Sequence, residues 1–158
     1  MSCGGWSRCL AAAWSVGLIL AGGCGGGSGG QPIAATTLAG MVGGQPWTLV
    51  GGETDAFLSS GEPDFFTTLY AESVTPCTGA GFSVTSNEII LQVPMATGDS
   101  MRSVTFVVDP SNTSQNFIVT GHVVVDEVTA TSVSGGVYAS YDDDNVINGQ
   151  FQATICAQ

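Results

Sequence analysis

The strongest constraint on this chain is a period of two in its apolar residues, carried through short runs that glycine punctuates. In the final third, Gly121 leads into Val-x-Val, Gly135-Gly136 opens Val-Tyr-Ala-Ser-Tyr, and Gly149 precedes Phe-Gln-Ala-Thr-Ile-Cys. A period of two sends successive side chains to opposite faces of an extended strand, whereas a helix needs a period near 3.6. No stretch of the domain keeps the helical period. The glycine steps from 121 to 135 and from 135 to 149 are both 14 residues. Equal steps of strand plus turn are what consecutive hairpins produce, so Phe117 to Cys156 is predicted to form an antiparallel meander. Within it Ile147, Phe151, Ala153 and Ile155 face inward and Gln150, Gln152 and Thr154 outward. Cys156 then falls on the outward set at a strand end.

Upstream, extended runs are expected at Thr36 to Val42, Trp47 to Leu58, Phe65 to Glu72, Glu88 to Val93 and Ser103 to Asp109. The turns between them are Gly43-Gly44-Gln45-Pro46, Gly61 to Asp64, a Gly/Ser/Thr-rich loop from Cys77 to Asn87, and Thr97 to Ser100. About eight strands with turn residues between them imply an all-β domain, an antiparallel sandwich or barrel. It is expected to be monomeric and to run from Ala34 to Gln158.

The start of the chain has a different grammar. Met1 to Arg8 is weakly basic, Cys9 to Leu20 is apolar, and Ala21, Gly22 and Gly23 are small. Roughly 20 apolar residues are needed to cross a bilayer, so this run suits a cleavable export signal (residues 1–23) better than a permanent span. Leu20-Ala-Gly-Gly-Cys24 resembles the lipobox of bacterial lipoproteins, with the leucine one residue earlier than the family usually has it. The resemblance implies that Cys24 is acylated, palmitate included, and becomes the first mature residue. Gly25 to Gly30 holds five glycines and one serine, the composition of a flexible tether, which is expected to extend to Ile33. The membrane is thus the one expected partner that can be named, reached through lipid on Cys24.

Charge narrows the remaining partners. All 13 carboxylates follow the signal, and the only Lys or Arg there is Arg102, a mature side-chain net of −12. Nucleic acid is excluded as a partner, because its phosphates need Lys and Arg to displace their counterions. Electrostatic adhesion to anionic lipid is excluded on the same ground. Two cysteines, Cys3 and Cys9, leave with the signal and Cys24 takes lipid. Cys77 and Cys156 remain as an even pair, expected to form a disulfide in an oxidising compartment.

Candidate chemistry is sparse. His122 is the only histidine, on a strand where it shares a face with Ile118, Thr120 and Val124. No serine lies in a Gly-x-Ser-x-Gly elbow, no His-Glu-x-x-His zinc motif occurs, and no lysine is present for Schiff-base chemistry. No catalytic residue and no cofactor are therefore expected. Asp142, Asp143, Asp144 and Asn145 form a weak calcium candidate, since calcium favours grouped oxygen ligands. The EF-hand pattern fails there, with Val146, Ile147 and Ala153 at positions that need ligands or glycine. Asp and Asn are also ordinary turn residues. Phe66, Thr68 and Tyr70 alternate with Phe65, Thr67 and Leu69, so either face of that strand could offer aromatics to a ligand.

The Gly40 to Trp47 opening and the Asn148 to Phe151 closing run resemble those of uncharacterised small bacterial lipoproteins of β-sandwich fold. That resemblance implies a fold and a cell-envelope address, periplasmic or extracellular, and transfers no site residue. The expected function is a non-catalytic binding, adhesion or structural module for a protein or glycan. A calcium-dependent ligand-binding domain is the first alternative, and an enzyme of unknown chemistry, for which a buried pair of carboxylates in a cleft would be the sign, is the second.

Overall fold

The computed structural model describes residues 31–78, 86–109 and 113–157; the expected signal, Cys24 and the tether up to residue 30 lie outside them. The described residues form nine strands and no helix. They are β1 (Ala39–Val42), β2 (Gln45–Thr48), β3 (Gly51–Asp55), β4 (Asp64–Tyr70), β5 (Glu88–Pro94), β6 (Gly98–Val108), β7 (Gln115–Val128), β8 (Ser132–Asp142) and β9 (Asn145–Thr154). The all-β expectation holds, and β7, β8 and β9 are the antiparallel meander that the glycine spacing predicts. Three boundaries differ most, the first being that β2 starts at Gln45, inside the turn expected from Gly43 to Pro46. The expected Trp47 to Leu58 run is two strands, because the chain changes partner between Leu49, which donates to Leu38 O, and Val50, which donates to Tyr70 O. The turn expected at Thr97 to Ser100 ends earlier, and β6 already pairs with β7 at Gly98↔Val125.

The sheet closes on itself in the order β3-β4-β5-β6-β7-β8-β9, with β9 returning to β3. Alternating strand direction cannot be kept around a ring with an odd number of strands. Six of the seven contacts are antiparallel, and the seventh, β3 with β9, has to be parallel. That seam is thin. The strands register only at Glu53↔Thr154, whereas β6 and β7 stay paired from Gly98↔Val125 to Val108↔Gln115.

The edge of β9 that β3 leaves open is taken by the chain before β3. Residues Ala39, Gly40 and Met41 of β1 pair with Asn148, Ile147 and Val146. Ahead of them, Leu38 N donates to Gln150 O and Gln150 N to Thr36 O, both at 2.8 Å. Asn148 and Gln150 hold the same segment from their side chains, through Ala34 N and Ala34 O respectively. The β1–β2 hairpin turns on Gly43 and Gly44, both at positive φ, as a two-residue turn matched to strand twist requires. Asn87 fixes that hairpin to the barrel end: its side chain donates to Val42 O at 2.6 Å and accepts from Asp109 N, while its carbonyl accepts from Trp47 Nε1.

Alternation decides the core. Leu69, Ile89, Leu91, Val93, Val104, Phe106, Val123 and Val137 point inward and are fully buried, joined by Ile147, Phe151 and Ala153 of β9. Leu38, Val42 and Trp47 complete the same cluster from the hairpin side. Each of these Val, Leu, Ile and Phe side chains contributes about 1.5–3 kcal/mol on burial.

Gly149 is where the N-terminal segment crosses β9. Its φ is 147°, and a Cβ there would lie 2.6 Å from Leu38 Cα and 2.7 Å from Thr36 O, both backbone atoms. Gly149→Ala should therefore cost roughly 2–4 kcal/mol through strain and forced separation of the two segments. Urea unfolding of the two proteins measures this, and a loss below about 0.5 kcal/mol, the range of an ordinary surface change, would contradict it.

Candidate functional site

Outward residues of β3, β4 and β5 form one cross-strand surface. Register pairs Glu53 with Thr68 and Gly51 with Tyr70, and Tyr70 in turn with Glu88. Period two alone would make this face solvent-exposed. Instead Glu53, Tyr70 and Glu88 are all buried. The chain leaving β4 folds back to Glu53, whose carboxylate takes the Cys77 N–H, and is fastened by the Cys77–Cys156 disulfide, whose Cα atoms are 5.3 Å apart. Cys77 takes a left-handed φ of 64°, uncommon for a residue with a side chain. Cys156 N donates to the buried Thr54 Oγ1 at 3.0 Å, so the chain leaving β9 is held to β3. The disulfide expected from the cysteine count is present, on the outward side of β9 as parity predicts.

Glu53 organises this surface. Its Oε1 accepts from Tyr70 Oη at 3.1 Å and its Oε2 from the backbone N–H of Cys77. Burial, then the Glu53 charge, hold the Tyr70 phenol above its ordinary range. Glu88 lies across β4 on the far side of Tyr70. Burial first, and Glu72 second, push its carboxyl up to about 7. Its Oε2 has no hydrogen-bond partner among the described residues.

An open cleft of about 410 Å³ adjoins the disulfide, lined by Glu53, Asp55, Phe57, Thr68, Tyr70, Cys77 and Cys156 among others. Asp55 Oδ1 accepts from Leu58 N at 2.8 Å and so holds the turn after β3. This turn presents Phe57 with 86% of its surface in solvent. Glu53, Cys77 and Cys156 are also the one group of three potential metal ligands at coordinating separations among the described residues. Both sulfurs are tied up in the disulfide, so the group has the wrong chemistry for a metal.

The residues singled out from sequence are scattered. Asp142 to Asn145 makes the β8–β9 turn: Asp142 Oδ1 accepts from Asp144 N and from Asn145 Nδ2. Asn145 is buried, and its Oδ1 accepts from Gly43 N at 2.9 Å, tying this turn to the β1–β2 turn. These bonds are those of a self-capped hairpin. His122 lies on the outer face of β7 with Ile118, Thr120 and Val124, as expected, and its Nε2 is 2.8 Å from Asp99 Oδ1. On β4, Phe65 packs on the core and Phe66 is half-buried, while Tyr70 lies under the loop. The aromatic that faces solvent at the cleft is Phe57, which the strand pattern had not singled out. Glu53 and Glu88 were missed for one reason: an outward charged residue on a strand carries no sign that a loop will cover it.

No family model, no curated protein and no solved structure matches this chain. Its site is therefore read from geometry alone.

Glu88 makes a signed prediction. Its folded pKa lies above the ordinary 4.5, so below about 4.5 both states are protonated and burial carries no penalty. Between 4.5 and about 7 the unfolded chain ionises first and stability falls with rising pH. Above about 7 the full penalty stands, on the order of 3 kcal/mol. Glu88→Gln should thus be nearly neutral at pH 4 and stabilising by up to roughly 3 kcal/mol at pH 8. Urea unfolding of both proteins from pH 4 to 8 measures the difference; a difference independent of pH would contradict the assignment.

Proposed function

We propose that this protein is an exported binding module of a bacterial cell envelope, held to the membrane by lipid on Cys24 and presenting a non-catalytic site in the cleft beside the disulfide. The observation that carries the reading is the Cys77–Cys156 bond, which forms part of the cleft wall. A bond of this kind persists in an oxidising compartment, where an export signal would deliver the domain. The lipobox-like Leu20 to Cys24 and the glycine tether after it supply the address and the anchor. One acyl chain holds a protein marginally and two or more hold it stably.

The cleft offers groups suited to holding a ligand. Glu53 is fixed by two donors, Thr68 is beside it, and Phe57 stands free at the rim. General acid–base work by two carboxylates would need both to face one substrate. Glu88 does not line the cleft, and the two carboxylates that do, Glu53 and Asp55, both spend oxygens on fixed internal bonds, Glu53 to Tyr70 Oη and Cys77 N and Asp55 to Leu58 N. This favours binding over catalysis.

The test of address is Cys24→Ser. The wild-type protein should partition into detergent and carry acyl mass on its N-terminal residue, and the variant should stay in the aqueous phase with its barrel intact. A wild-type protein found in the aqueous phase, beginning at an unmodified residue, would overturn the anchored reading.

A further inference from the structure

We infer that the cleft beside the disulfide receives a primary alkylammonium group, such as the end of a lysine-type side chain or a diamine. The inference rests on the reading of this cleft as a ligand site and adds the chemistry of the ligand. It starts from Glu53, a buried carboxylate whose two oxygens both accept hydrogen bonds, one from Tyr70 Oη and one from Cys77 N. Both donors are neutral, so the charge they surround is not balanced.

Among the described residues no cation is placed to balance it. Among the described residues the ion pairs are Arg102 with Asp64 at 3.1 Å and His122 with Asp99 at 2.8 Å, neither involving Glu53. No Lys or Arg other than Arg102 follows the signal. A buried charge without a counter-charge is costly, and a cation arriving from solvent through the cleft would relieve it. A carboxylate offers about four lone-pair positions, so Glu53 keeps acceptor capacity after its two internal bonds.

The rest of the cleft suits the same guest. Asp55 adds a second carboxylate at the lining, with one oxygen engaged by Leu58 N. The Phe57 ring is 86% exposed, and an aromatic face attracts an ammonium and its flanking methylenes. The volume, about 410 Å³, lies within the range of small-molecule sites. An ammonium brings three donors, which two carboxylates and Thr68 can accept. A neutral polyol would leave the Glu53 charge as it stands.

The experiment is an amide-shift NMR titration of the exported Cys24→Ser protein, otherwise the whole chain, with 1,5-diaminopentane and, separately, with 1,5-pentanediol at matched ionic strength. The diamine should give saturable shifts at Asp55, Phe57, Thr68 and Cys77, and the diol none. Phe57→Leu should weaken the diamine roughly two- to five-fold, and Asp55→Asn, which keeps an acceptor for Leu58 N, roughly five-fold. Neither substitution touches the core. Equal shifts at the exposed Asp142 to Asp144 turn would mean diffuse charge attraction and overturn the proposal. Saturable shifts from the diol as well would overturn the ammonium assignment while leaving the cleft a binding site. No shift from either probe would count against both readings.

Discussion

The rest of this structure depends on one arithmetical constraint. A closed ring of seven strands cannot alternate direction throughout, so the barrel contains one parallel contact, between β3 and β9. Parallel neighbours cannot be joined by a tight hairpin. The two strands that meet there are instead separated by nearly the whole domain, and their ladder registers at a single position. The molecule reinforces this contact from outside. The Cys77–Cys156 bond fastens the end of β9 to a loop lying over β3, Cys156 N reaches Thr54, and Cys77 N reaches Glu53. In the chain-entropy account, closing a loop of this length contributes about 4–5 kcal/mol. The remaining edge of β9 is occupied by β1 and the segment before it, so no long unpaired edge is left at the seam.

Reinforcing the seam has a chemical consequence. The loop that carries Cys77 across the outer face of β3 and β4 converts a solvent face into a buried one. Glu53, Tyr70 and Glu88 are buried on that face, with Tyr70 donating to Glu53 and Glu88 Oε2 without a hydrogen-bond partner among the described residues. A core made only of inward-facing valine, leucine and isoleucine would hold no such groups. The cleft and its buried carboxylate thus lie beside the same bond that reinforces the seam. Glu53 belongs to both features: it receives the Cys77 amide that helps position the disulfide loop, and it lines the cleft.

Much of the fold was legible because alternation is a local signal. The inward set Ile147, Phe151 and Ala153, the outward placement of Cys156, and the three-strand meander all follow from a period of two and glycine spacing. The split of Trp47 to Leu58 was not, because it comes from a change of partner, Leu49 to Leu38 and Val50 to Tyr70, that no local pattern encodes. The parallel seam was hidden for a related reason, since it depends on how many strands close the ring. At the site, the cysteine pair was legible from counting. Glu53 and Glu88 were not, because an outward charged residue on a strand carries no local sign that it will be buried. The acidic turn at Asp142 to Asp144 drew attention by composition, yet its oxygens serve local turn bonds and the contact with Gly43.

The central claim is that the disulfide and its loop hold a seam that backbone pairing alone leaves weak. Native-state amide hydrogen exchange, compared between oxidised protein and protein reduced under native conditions, measures it most directly. Reduction should lower protection selectively at Gly52 to Thr54 of β3 and Phe151 to Thr154 of β9, while Val104 to Phe106 and Val119 to Val125 in β6 and β7 keep theirs. Equal loss across all seven barrel strands, or unchanged protection at β3 and β9, would contradict the account.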